Sequence, residues 1–253
     1  MNFGFGKQEK TIMSGHSKWN NIKHKKEKAD AAKAKIFTKI GKEMAVAIKA
    51  GGPDPNNNSK LRDLIAKAKA NNVPNDNIQR TIKKFSDNSD INFEEIVYEG
   101  YGPSGVAIIV ETQTDNRNRT AGNVRAAFSK YGGNLGQNGC VGYLFEDKGV
   151  ISIVDEDDEI DEDKIMEDAL ECGAEDIKCD EGEYTIYSAK EDFDAVREAI
   201  IALGYKLDTA DIAKVPSTYV ELTGEEDVEN MEKMLDKFNE DDDVNAVYHN
   251  WDN

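Results

Sequence analysis

No apolar run in the chain approaches the roughly 18 residues that a membrane-spanning helix needs. The opening "MNFGFGKQEKTI" has no apolar stretch of signal-peptide length, so export is not expected. Cysteine and histidine are scarce, at three each. Cys140, Cys172 and Cys179 form an odd, irregularly spaced set with no CxxC pair, as expected of reduced thiols in a cytoplasmic protein. His16, His24 and His249 are scattered and none sits in HExxH, so no zinc, other metal or cofactor is expected. "GGNLGQNG" is glycine-rich but lacks the GxGxxG order and the lysine of a phosphate loop. "DEDDEIDEDK" lacks the central glycine of a calcium loop. With "NEDDD" it reads as solvated helix entry, where acid suits the helix dipole. Ser17, Ser129 and the cysteines have no nucleophile context, so the chain reads as a non-enzyme.

What is present is charge, and it is divided. The chain has 253 residues, 38% of them hydrophobic, and a formal net charge of −18. Residues 1–86 hold 19 Lys and Arg against 7 Asp and Glu, a balance of +12. The remainder holds 13 against 43, a balance of −30. Such a division marks interaction surfaces rather than a fold.

Helical spacing of Ile36, Phe37, Ile40, Met44, Ala47 and Ile48 predicts a helix over 23–50, stopped by "GGP". Helices over 59–71 (Leu61, Leu64, Ile65, Ala68) and 75–86 (Ile78, Ile82, Phe85) complete a small helical domain. Beyond it, "EEIVYEGYGP", "GVAIIVETQTD" and "GCVGYLFED" read as strands, with a helix over "NRTAGNVRAAFSKYGG". Residues 148–216 read β-α-β-β-α-β, the ferredoxin-like order. The tail reads β-α-β and would complete a second such set with 91–147. The expected fold is α+β in three domains: a basic three-helix domain (14–90), a split α+β domain (91–147 plus 217–253) and an acidic α+β domain (148–216) inserted in it. Two consecutive α+β domains are the competing arrangement. Residues 1–13 are expected to be an extension or a misassigned start, since Met13 stands just before "SGHSKW".

On the first helix Lys28, Lys35, Lys39, Lys42 and Lys49 fall opposite the apolar stripe. Few acids are interspersed as partners, and Lys60, Arg62, Lys67, Lys69, Arg80, Lys83 and Lys84 extend the basic charge over the next two helices. Clustered cations without counter-charge are the footprint of a phosphate-backbone binder. The alternatives are a solvated face, an acidic protein partner or this protein's own acidic domains. Trp19, beside Lys18 and Lys23, either stacks on a base or packs under the helix start. In "TDNRNRTAGNVR", Arg117 and Arg119 stand at a helix start in an acidic region. They either hold a phosphate or pair with nearby carboxylates, with Asp115 or Asn118 as the cap.

"GHSKWNNIKHKKEKADAAKAKIFTKIGKEM", "GGPDPNNNSKLRDLIAKAKANNVPNDNIQRTIKK", "YEGYGPSGVAIIVETQTDNRNRTAGNVRAAFSKYGGNLG" and "VGYLFEDKGVI" together closely resemble the YebC/PmpR family, from about Ser14 to the C-terminus. That family includes the mitochondrial translational activator of cytochrome c oxidase. Residues 154–200 match more by element order than by residue. The resemblance implies a three-domain cytoplasmic protein. Members are labelled probable transcriptional regulators on DNA-binding grounds, and others act at the ribosome on proline-containing stretches. By "GHSKW" and "NIKHKK" it carries over Lys18, Trp19, Lys23, His24 and Lys25 as contact positions, with Lys26 alongside. The expected partner is nucleic acid, either DNA or ribosomal RNA, with no membrane partner and a monomer as the favoured state. A protein-interaction scaffold is the reading from another class.

Overall fold

The structure, a computed structural model, describes residues 29–70, 72–86, 93–155, 159–180 and 182–252, with side chains from Phe37 onward (Ala70 excepted). It divides into two compact units, Met1–Gly142 with Thr218–Asn253, and Tyr143–Ser217.

The first unit begins with a helical bundle. Its helices are α1 (Ala29–Gly51), α2 (Ser59–Ala70) and α3 (Asn75–Ser86). Ile40, Met44, Ala47 and Ile48 recur on one side of α1 and bury against Leu61, Leu64, Ala68 and Ile78. α1 stops where Gly52 takes φ +84° and donates its N–H to the Ile48 carbonyl at 2.7 Å, a left-handed end that glycine reaches without a Cβ clash. Asn58 then joins two helices. Its buried amide donates to the carbonyls of Ala47 and Gly52, both at 2.8 Å, and its Oδ1 accepts the Leu61 N–H at 3.0 Å. One side chain thus closes the end of α1 and caps the start of α2.

The rest of this unit is an α+β body. Strands β1 (Glu94–Tyr101) and β2 (Ala107–Thr114) form a hairpin, followed by α4 (Arg117–Lys130) and β3 (Asn134–Leu135). After the second unit the chain returns as β8 (Val220–Glu221), α7 (Glu225–Glu240), β9 (Val244–His249) and β10 (Trp251–Asp252). The sheet order is β3-β1-β2-β9, antiparallel throughout, and β10 pairs in parallel with β8. Alternate residues of β2 (Val106 just before it, then Ile108 and Val110) meet Phe128 of α4 and Met231, Met234 and Phe238 of α7 in one core. The Phe128 and Phe238 rings lie 5.3 Å apart.

The second unit is β4 (Phe145–Val154), α5 (Glu162–Glu171), β5 (Asp176–Asp180), β6 (Glu183–Ala189), α6 (Phe193–Ala202) and β7 (Thr209–Pro216). Its sheet runs β5-β6-β4-β7, all antiparallel, over a core of Ile151, Ile153, Ile165, Ile186, Val196 and Ile200. The β-α-β-β-α-β order is therefore present. Asp161 caps α5 by accepting the Lys164 N–H at 3.1 Å, and Asp155 accepts the N–H of Glu159 and Ile160.

One expected strand is absent. "GCVGYLFED" does not form a ladder of its own; β4 begins at Phe145 and runs through to Val154. The residues before it wrap a carboxylate instead. Glu99, buried on β1, accepts the N–H of Gly139 (2.8 Å), Val141 (2.9 Å) and Gly142 (2.7 Å). Those donors are spent on the carboxylate, so they serve neither a strand nor a phosphate.

Candidate nucleic-acid interface

Lys18, Trp19, Lys23, His24, Lys25, Lys26 and Lys28 lie outside the described residues, and Lys35 is on α1 with its side chain outside them. The remaining lysines of the α1 stripe do not form one solvated face. Lys49 is exposed at the helix end and Lys39 is half-buried; neither is without a partner in the protein. Lys42 points at the α+β body. Its side chain is only 13% exposed, and its ammonium donates to Asp243 Oδ1 at 2.7 Å and to the Asp242 carbonyl at 2.9 Å.

Exposed cations without ion pairs stand on the other two helices. Arg62 and Lys69 on α2, and Arg80 and Lys83 on α3, are exposed and form no ion pair among the described residues. Lys84 is exposed with its ammonium 5.1 Å from the Phe85 ring centre. Lys60 and Lys67 have loose carboxylate neighbours, Glu95 and Glu43, each at 3.6 Å.

"TDNRNRT" divides its two arginines. Asn116, rather than Asp115 or Asn118, caps α4 by accepting the Arg119 N–H at 3.1 Å. Arg119 reaches back to carboxylates, donating from Nη2 to Asp243 Oδ2 at 2.6 Å and to Asp115 Oδ1 at 2.8 Å. Arg117 is exposed and forms no ion pair among the described residues.

Asp243 is the centre of this arrangement and was not legible as such. It sits in the acid run "NEDDD", 201 residues from Lys42 and 124 from Arg119. Oδ2 also has the hydroxyls of Thr120 at 2.9 Å and Thr114 at 3.2 Å beside it. Burial alone would push this carboxyl up, but the hydrogen bonds from Lys42, Arg119 and Thr120 outweigh it and bring it down to about 2. The Arg119 guanidinium is in turn held above its usual range, first by its bond to Asp243 and then by Asp115. The bridge ties α1 of the bundle to the start of α4 and the start of β9. An open cleft of about 620 Å³ lies beside it, with Phe93, Tyr131, Lys130 and Lys237 among its walls.

Other candidate chemistry stays quiet. Burial pushes the thiols of Cys140, Cys172 and Cys179 up, so they are protonated near neutrality. Among the described residues no group of His, Cys, Asp and Glu is placed to hold a metal, and no helix is long and apolar enough to cross a membrane.

A helical bundle, an α+β body and an acidic unit of β-α-β-β-α-β order make this a multi-domain α+β protein. The family follows from the sequence matches. Residues 17–88 match the TACO1/YebC protein N-terminal domain, and residues 93–251 match the TACO1/YebC second and third domain; the chain belongs to this family. It is 56% identical over 241 residues to a protein of Agathobacter rectalis, covering 95% of this chain and 100% of that one. It is 55% identical over 240 residues to one of Acetivibrio thermocellus, covering 94% and 99%. Both carry the name "Probable transcriptional regulatory protein". The crystal structure of a conserved hypothetical protein from Aquifex aeolicus matches with a TM-score of 0.82 at 44% identity, covering 92% of this chain and 96% of that one.

Proposed function

We propose that the protein is a nucleic-acid-binding regulator of gene expression that binds DNA through its basic helical domain, residues 14–90. The observation that carries this reading is the set of exposed cations on α2 and α3 (Arg62, Lys69, Arg80 and Lys83) with no ion pair among the described residues. A stable helix surface would mix signs; these instead await an external anion. The name shared by the relatives supports transcription as the level of action. In this reading the body (91–147 plus 217–253) and the acidic domain (148–216) are the other two domains. The protein works as a cytoplasmic monomer without catalysis.

The test is fluorescence anisotropy on duplex DNA across a salt series. Neutralising Arg62, Arg80 and Lys83 to Gln should weaken binding by at least about tenfold and flatten the salt slope by between two and three, since each phosphate contact contributes about 0.9. Unchanged binding would remove the helical domain from the interface.

A ribosome-associated translation factor is the second reading. One observation favours it: residues 143–217 carry 24 Asp and Glu against 7 Lys and Arg, a balance of −17. Such a unit is repelled by naked duplex but suits a target that offers basic protein beside RNA. Sedimentation of a DNase-treated lysate on sucrose gradients separates the two. Co-migration with ribosomes at moderate salt would select translation; protein remaining at the top would select DNA.

A further inference from the structure

Helix α4 differs from every other α-helix of the described structure. Its sequence, RNRTAGNVRAAFSK, contains three arginines and a lysine and no carboxylate. The other six each carry at least one Asp or Glu. The surrounding body is acidic: residues 91–142 and 218–253 hold 17 Asp and Glu against 6 Lys and Arg, and four of those six cations are on α4.

The four are not equivalent. Thr120, Val124, Ala127 and Phe128 are the buried side of the helix. Arg119 projects to one flank and is committed to Asp243 and Asp115. Lys130 lies on that same flank, 5.1 Å from the Tyr131 ring centre. At 100° per residue Arg117 and Arg125 lie about 80° apart and at least about 120° from Arg119; Arg125 is on the other flank, and Arg117 stands in the first turn above the buried stripe. Both are exposed, and neither forms an ion pair or hydrogen bond among the described residues. Beyond Arg125 around the helix the surface is small and polar. Asn118 is exposed, and Gly122 has open space where a Cβ would stand. A surface of arginines separated by small residues lets a sugar-phosphate backbone come close while two guanidinium forks grip it.

We propose that the Arg117–Asn118–Arg125 flank of α4 is a second phosphate-contact surface, engaging the backbone of the same DNA held by the helical bundle. The helix is about 20 Å long, enough to follow several phosphates. The Lys42–Asp243–Arg119 bridge fixes the start of α4 to α1, so the bundle and α4 hold a set relation within one compact unit. Charge complementarity selects the partner: in a body dominated by carboxylates, this flank suits a polyanion.

The inference rests on the proposed nucleic-acid binding, and the test keeps the two apart. Anisotropy of a labelled duplex is followed across a KCl series for the full-length protein, for R117Q/R125Q and for R62Q/R80Q/K83Q. The expected result for R117Q/R125Q is a salt slope shallower by about two and an affinity at 0.15 M salt lower by roughly tenfold. Its thermal transition should be unchanged, because both side chains are exposed. R117K/R125K should recover most of the slope, since it restores the charges. An unchanged slope in R117Q/R125Q, with R62Q/R80Q/K83Q still weakened, would overturn this surface and leave the bundle reading intact. Absence of salt-dependent binding by the unaltered protein would overturn both.

Discussion

Two carboxylates are buried in the α+β body, and they are held in opposite ways. Glu99 is held by three backbone N–H groups from one short loop. Asp243 is held by two cations and two threonine hydroxyls drawn from two distant stretches of chain, Lys42 and residues 114–120. Backbone dipoles suffice where a carboxylate has only to organise its own neighbourhood. Formal countercharges appear where it has to fasten the bundle to the body. The first arrangement shapes a loop, and the second joins two hydrophobic cores that are otherwise separate clusters.

The sharpest way to break this contrast is Asp243→Asn. It leaves Lys42 nearly buried without its anion, and one-sided removal of a buried pair costs about 3–5 kcal/mol. Urea denaturation should show that loss, and hydrogen exchange should show α1 loosening ahead of the body. Next in size is Glu99→Gln. Its amide group sets a donor against N–H groups, at a cost of about 2 kcal/mol, with changes confined to residues 136–142 and the bundle unaffected. Asn58→Ala probes a third joint, uncharged and inside the bundle; loss of the cap and of two buried amide bonds should cost about 1–2 kcal/mol.

The Asp243 side of the contrast can also be read in pH dependence. Asp243 titrates near 2 in the folded protein against an ordinary value near 4 in the unfolded chain. Its contribution is therefore fully present above about pH 4 and is lost as pH falls toward 2. An acid titration of stability should be shallower over that window in Asp243→Asn than in the unaltered protein. Equal slopes would mean that the carboxylate is not charge-paired in solution.

How much of this was legible depended on the range of the interactions. The bounds of α2 and α3 follow from apolar spacing within one helix, and the structure places them at Ser59–Ala70 and Asn75–Ser86, within a residue of expectation. The β-α-β-β-α-β order of the second unit was readable for the same reason, because each strand and helix carries its own period. Of the α1 lysine stripe, Lys39, Lys42 and Lys49 have described side chains, and none of them belongs to the bundle core. Nothing local showed that the α+β body would face Lys42. Arg117 and Arg119 look alike in sequence. They separate only when helix geometry sends one toward Asp243 and the other to solvent. The strand expected at "GCVGYLFED" failed because its N–H groups found Glu99, some 40 residues earlier. Asp243 itself was hidden in an acid run of which it is the one buried carboxylate.

The second unit enters and leaves at one place. β4 and β7 are neighbours in its sheet, Phe145 pairs with Pro216, and Ser217 donates its N–H to the Leu144 carbonyl at 2.8 Å. The ends of this 75-residue stretch are therefore adjacent in space. A short turn could replace everything between them. In genetic terms, one in-frame deletion of the acidic unit would leave both cores of the first unit complete, because neither draws a residue from it.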